Sequence, residues 1–408
     1  MYVGKGGTMK KTTLITIVGI FILTLFTPIV NAQDKTLAET KTRIKQQKLK
    51  WTAGETSVSK MSHENKKRLF GGEIPKNLNG FEYYKSGVFE LFEPKPKKHS
   101  SEDLGGSSMI NHFDWRNRHN INWITPVRNQ GPCGSCWAFS TIGVVEALTN
   151  LYFNQQLNLD LSEQDILSCS NAGDCINGGY PYLAFDYIQF NGVSNEECFE
   201  YMAEDLLCEE KCPEPVELIK ISGTTWINPG DGEDNIKRLL INHGPLNFGI
   251  ADWWHYMILV GYETDEIGTI WILKNSWGTD WGENGYVKMR VELTNIYGLY
   301  FVNLPVVSEN PTEIICEDLD NDGYYNWGLS INQPINCPDD VLGEKDCDDS
   351  NPLLGPFSED GSCVELLPPE PEPPLPDPEP EPPLPDPPDD DNDDNNNNNN
   401  GCFIGVIY

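Results

Sequence analysis

Positive charge is what this 408-residue chain has least of: 29 Lys and Arg stand against 62 Asp and Glu, a formal charge of -33. The deficit is concentrated, because from Glu309 to the last residue 26 acids face a single lysine, Lys345. Such a surface repels phosphates, which excludes nucleic acid and anionic membranes as partners. Crowded carboxylates suit solvation or a hard cation instead.

Long apolar runs are also scarce. The run from Leu14 to Val30 follows Lys10 and Lys11 and precedes "VNA" and Gln33; it reads as a secretory signal that starts at Met9 and ends at Ala32. A membrane anchor is the competing reading, since the run is nearly long enough to span, but the small residue at its end favours cleavage. The expected location is therefore outside the cell or on its surface, after bacterial export, with no transmembrane helix in the mature form. Paired thiols oxidise there, so most of the 12 cysteines are expected in disulfides.

Composition divides the chain into six parts. Residues 1–32 are the signal. Residues 33–111 are basic, helical and looped, more a pro-segment than a core. Residues 112–308, from "FDWRN" to "GLYFVNLPVV", are globular and rich in Trp, Tyr and Gly. Residues 309–363 form a small acidic module with cysteines. Residues 364–400 hold "EPPLPDP" twice and then "DDDNDDNNNNNN", a stiff spacer followed by disorder. Residues 401–408, "GCFIGVIY", resemble a short bacterial C-terminal tag.

Within the globular part, "CWAFSTIGVVEALTNLYF" places Trp137, Ile142, Val145, Leu148 and Tyr152 on one buried helical face. The stretches "PLNFGI", "HYMILVGYE", "TIWILKNS" and "GYVKMRV" read as strands. Helices first and strands later predict an α+β domain of two packed lobes.

The stretch "NQGPCGSCWAFS" (129–140) sets Cys133 three positions before Cys136. The pair fits a redox couple, half a zinc site, or a structural thiol beside a reactive one. No second feature of a thioredoxin-like unit accompanies it. Cys136 stands where a helix begins, and unpaired N–H groups and the helix dipole there favour a thiolate. Candidate bases are His255, opening an apolar strand before "KNSWG", and His243 in "INHGPLNF".

The Cys-Gly-Ser-Cys-Trp run resembles the papain-like cysteine peptidases, and so do "CINGGYP" (175–181), "HYMILVGYE" (255–263), "KNSWGTDWGENGYV" (274–287) and "GLY" (298–300). The resemblance implies the papain-like fold, a helical left lobe against an antiparallel β right lobe, to which the acidic calcium-loop module and disordered tail are added. It implies Cys136 as nucleophile, His255 as base and acid, Asn275 as the amide that orients the ring, and Gln130 as oxyanion donor together with the Cys136 N–H. Trp277 matches the indole that shields the His–Asn contact. Gly178 and Gly179 match the backbone that pairs with an extended peptide, and Tyr180, Pro181 and Val302 an adjoining apolar pocket, which predicts an apolar side chain two residues before the cleaved bond. Disulfides Cys133–Cys175 and Cys169–Cys208 are implied, leaving Cys198 and Cys212 as a further pair. No cofactor is implied for catalysis.

Several family features are missing. His255 follows Cys136 by 119 positions, fewer than the roughly 130 to 150 usual in the family; the loop normally found before the histidine is absent. Trp254 replaces a small or acidic residue, and Tyr256 follows the histidine where a small residue often lines the pocket. No His-His insertion like the occluding loop of cathepsin B is present.

"WTAGETSVSKMSHENKKRLFG" is similar to the cathepsin B type of pro-segment. Residues 113–308 carry 26 acids against 10 bases, so a basic pro-segment should dock on this domain and inhibit it, a clamp that acid or salt weakens. In "CEDLDNDGYYNWG", Asp318, Asp320 and Asp322 alternate before Gly323 as a calcium loop does, but Leu329 stands where an EF-hand needs Glu. The module resembles thrombospondin type 3 repeats, with Asp346, Asp348 and Asp349 as a second donor cluster for a structural calcium ion.

These readings converge on a secreted, monomeric cysteine endopeptidase made as a zymogen, acting on peptides or proteins. Two alternatives stay open: an inactive papain-like domain serving as a peptide-binding or adhesive surface protein, and an amidase or transpeptidase of the cell wall.

Overall fold

A run of small and apolar residues after Ser135 builds the central helix, Cys136–Phe153, which ends in a left-handed Asn154. In the computed structural model, which describes residues 36–70, 81–90, 109–309, 312–338 and 341–366, this helix is buried on all sides. The single apolar face read from the sequence is thus an underestimate, and Tyr152 is only half-buried. The helix has neighbours all round: the helices Glu163–Cys169 and Pro181–Asn191 pack on it, and so does the large sheet. At Gly143 the sheet comes so near that a Cβ would lie 2.4 Å from Ile258 Cδ1.

Among the described residues the sheet has nine strands. Its centre is His255–Thr264, antiparallel to Leu246–Ile250 on one side and Thr269–Lys274 on the other. Tyr286–Arg290 pairs with Thr269–Lys274, and Ile296–Val302 with Leu246–Ile250. Only the short 3-10 turn Ala251–Trp253 and Trp254 separate Leu246–Ile250 from His255, so the strand carrying the histidine is fixed by a tight return. The architecture is α+β in two lobes, helices on one side and antiparallel strands on the other.

The N-terminal segment is more ordered than a helical and looped reading predicts. Besides helices Leu37–Gln47 and His63–Leu69, it contributes strands Trp51–Ala53 and Tyr84–Glu90. Tyr84–Glu90 adds to the sheet in parallel with Tyr286–Arg290. Trp51, Phe70, Phe81, Tyr84 and Phe89 are buried in the common core.

The acidic stretch packs on the C-terminal end of the central helix and satisfies its last carbonyls, which no helical N–H can reach. Leu329 N donates to Leu151 O at 2.8 Å, and Ile315 N to Phe153 O at 3.0 Å. Asn154 Nδ2 donates back to Ile315 O and Asn326 O. Disulfides Cys316–Cys337 and Cys347–Cys363 hold the stretch together. Strand Cys363–Glu365 pairs with Leu354–Phe357, and Leu366 N donates to Leu353 O, so the ordered module runs past residue 363 and includes 364–366. The signal, the rest of the spacer and the tag lie outside the described residues. Among the described residues no helix is long and apolar enough to cross a membrane.

Candidate active site

Cys136 opens the central helix and is the free cysteine among the described residues. Cys133 is joined to Cys175, Cys169 to Cys208, and Cys198 to Cys212. The nearby backbone N–H groups of Tyr256, Trp137 and Cys136 itself favour the thiolate, but burial outweighs them and pushes the Cys136 thiol up to about 11. Strand His255–Thr264 packs on this helix, with Tyr256 near Cys136.

His255 Nε2 lies 2.7 Å from Asn275 Oδ1. That oxygen also accepts from Ser276 N at 2.8 Å, which fixes the amide so that its oxygen faces the ring. Burial pushes His255 down to about 4, against the opposing influence of Asn275 and the Leu69 backbone. Nδ1 makes no hydrogen bond of good geometry. The Trp277 ring stands 4.7 Å from the imidazole and is fully buried. The alternative base, His243, ends helix Glu233–His243 and stacks on Phe301 at 4.1 Å.

Gln130 is buried beside the helix start. Its Nε2 donates to Cys133 O at 2.8 Å, and its Oε1 accepts from Ser276 Oγ at 2.6 Å. An amide nitrogen has two hydrogens, so one stays available for an oxyanion. Gly178 and Gly179 form a short strand with Gly173–Asp174, and a Cβ on Gly179 would collide with the Trp137 ring. The glycine edge therefore runs beside Gly134 and Trp137, which flank the nucleophile in sequence. Tyr180 is exposed there, while Pro181 and Val302 are buried.

The N-terminal segment covers this region. Arg68 Nη1 donates to Pro132 O at 3.2 Å, and the Arg68 carbonyl faces Gly134. Phe70 packs edge-on against Trp277 at 5.4 Å, and Ser57 Oγ donates to Trp277 O at 2.5 Å. Phe81 lies among Trp253, Trp277 and Trp281, its ring 3.7 Å from that of Trp253. Sequence reasoning missed Trp253 as part of this surface; the shortness of the link before His255 was the available signal.

In the acidic module, Asp318, Asp320 and Asp349 bring carboxylate oxygens within 4.8 Å of one another. Asp346 is 3 % exposed. One oxygen each of Asp320, Asp322 and Asp346 is buried without a hydrogen-bond partner. Burial is the main cause that pushes Asp346 and Asp349 up to about 7, and neighbouring acids add to it. Asp348 is engaged elsewhere, 2.8 Å from His119 Nδ1.

Residues 109–255 and 251–301 match the profile of the papain family cysteine proteases. The chain is 38% identical over 198 residues to a viral cathepsin of Cydia pomonella granulosis virus, which covers 44% of this chain and 56% of that protein. It is 32% identical over 243 residues to a cathepsin L-like protein of Caenorhabditis elegans, covering 52% and 69% respectively. Zingipain-2 of Zingiber officinale is 31% identical over 207 residues, covering 45% of this chain and 88% of that protein. The chain thus spans little more than half of the viral relative and most of the plant one. Among solved structures, digestive procathepsin L 3 of Tenebrio molitor larval midgut aligns at 24% identity and a TM-score of 0.49, covering 66% of this chain and 88% of that chain.

Proposed function

The chain belongs to the papain family of cysteine proteases, and from that premise we propose that it is a cysteine endopeptidase made as a zymogen. The observation that carries this reading is the buried 2.7 Å contact of His255 with Asn275, set beside an unpaired Cys136 at a helix start.

In the proposed reaction Cys136 Sγ attacks the peptide carbonyl carbon, and the oxyanion is held by the Cys136 N–H and the second Gln130 hydrogen. His255 takes the thiol proton and gives it to the leaving amine. A water molecule, deprotonated by the same ring, then hydrolyses the thioester and restores the thiol. Asn275 is uncharged and holds the ring without neutralising its imidazolium. Substrate pairs along Gly178–Gly179, with Trp277 shielding the His255–Asn275 contact and Tyr180, Pro181 and Val302 around the adjoining pocket.

Residues 33–111 act as the inhibitory pro-segment, of the cathepsin B type. The passage of Arg68, Leu69 and Phe70 across the Cys136–His255 region supports that role. Export by the N-terminal signal agrees with the five disulfides. For the acidic module we adopt the thrombospondin-like reading: Asp318, Asp320, Asp322, Asp346 and Asp349 hold a structural calcium ion. The three unpartnered carboxylate oxygens fit a hard cation, whose charge would offset their mutual repulsion.

The test is labelling of the trimmed protein by an epoxide that alkylates papain-family thiols, together with digestion of a peptide library. Labelling at Cys136 and cleavage that a Cys136→Ala change abolishes are expected. Equal cleavage by both proteins would remove the assignment.

A further inference from the structure

Gly249 lies opposite Tyr256 on one neighbouring strand and opposite Tyr297 on the other. Having no side chain, it lets both tyrosines lean over it until they meet, with ring centroids 4.9 Å apart at 51°. A Cβ at Gly249 would sit 2.8 Å from Tyr256 Cε1 and 2.9 Å from Tyr297 Cε1, and one at Gly298 would sit 2.7 Å from Tyr256 Cε1. Real Cβ atoms do not come that close, so both glycines are space reserved for the Tyr256 ring. The ring is held from two strands and is only 6 % exposed.

This ring stands at the nucleophile. Tyr256 lies near enough for its N–H to favour the Cys136 thiolate, and Gly179 borders the ring of Trp137, the next residue after the nucleophile. An extended peptide lying along Gly178–Gly179, its carbonyl at Cys136, sends alternate side chains to opposite sides. The side chain two residues before the attacked bond then enters the corner between Tyr180 and Tyr256.

We propose that Tyr256, seated on Gly249 and Gly298 against Tyr297, closes the floor of this pocket and restricts the residue two positions before the cleaved bond to glycine or alanine. The proposal rests on the endopeptidase reading and revises the apolar preference that Pro181 and Val302 suggest. A leucine or phenylalanine would need the volume that the ring already occupies.

The test compares kcat/KM of the trimmed protein on peptides that differ only in Gly, Ala, Leu or Phe at that position. Alanine should exceed leucine by about tenfold or more. Tyr256→Ala, which opens the pocket, should reverse the order; Tyr256→Phe, which keeps the ring, should preserve it. An unaltered enzyme that cleaves the leucine or phenylalanine peptide as fast as the alanine one overturns the proposal, whatever the variants do. If the Ala variant does not fold, the native and Phe proteins still decide. Failure of epoxide to label Cys136, with no peptide turned over, overturns the endopeptidase reading itself and this proposal with it. Labelling without discrimination among the peptides overturns the pocket alone.

Discussion

Burial sets the ionisation of the two reacting groups while the N-terminal segment is in place. It raises the Cys136 thiol to about 11 and lowers the His255 imidazole to about 4. Between those values both groups are neutral, the opposite of the charged pair that attacks a carbonyl. In the intact chain, alkylation of Cys136 should therefore stay slow at neutral pH and climb only as pH approaches the raised thiol value. Trimming the segment admits water, lowers the thiol and raises the imidazole, so labelling should become fast near neutrality. Mass spectrometry across a pH series checks this; equal rates at pH 7 before and after trimming would refute it. Gln130 offers its second amide hydrogen as an oxyanion donor beside the Cys136 N–H. Gln130→Ala should lower kcat by about 10²–10³-fold with a smaller change in KM, measured by steady-state kinetics on the trimmed protein.

At the scale of elements, the strand Tyr84–Glu90 and the Phe81 ring decide how firmly the N-terminal segment holds. The strand exists because Tyr286–Arg290 offers it an unpaired sheet edge, and the ring because Trp253, Trp277 and Trp281 form its seat. Truncating a buried Phe to Ala costs about 3–5 kcal/mol in a well-packed core. Phe81→Ala should thus speed neutral-pH labelling of Cys136 in the intact chain by at least about tenfold, with no change once the segment is trimmed. The same two elements explain what escaped the sequence reading. Residues 84–90 show no strong alternation and take strand form through a partner some two hundred positions away. The central helix displays its burial in composition, but the extra contacts on its remaining sides come from elements far along the chain.

For the whole molecule, the acidic module and the catalytic helix form one compact unit ending at Leu366. The module caps the end of the helix opposite to Cys136, through Leu329, Ile315 and Asn154. Asp346 and Asp349 are raised to about 7. A carboxyl whose folded value exceeds its unfolded value stabilises the fold below the unfolded value, and that stabilisation is lost as pH rises through the folded one. In chelator, the thermal midpoint should accordingly fall between about pH 4 and pH 7 as these groups lose their protons. Calcium should raise the midpoint more at pH 8 than at pH 5, because protons replace it in acid. Scanning calorimetry with calcium and with chelator at both pH values checks the sign. Asp346→Asn should shrink the calcium shift.

What depends on neighbours along the chain was legible before the fold. A helix starting at Cys136, strands with β-branched and aromatic alternation, the short link before His255, and the acid-rich end are all local patterns, legible because secondary structure and solvation respond to nearby residues. The contact of His255 with Asn275 was expected only through resemblance, and its 2.7 Å length and burial came with the fold. Only the tertiary structure decided that Tyr256 and Tyr297 meet over Gly249, that Phe81 lies among three tryptophans, and that Asp348 turns to His119 while Asp349 joins Asp318 and Asp320. Those outcomes depend on strand register and on how distant segments pack, and no periodicity within a single segment carries that information.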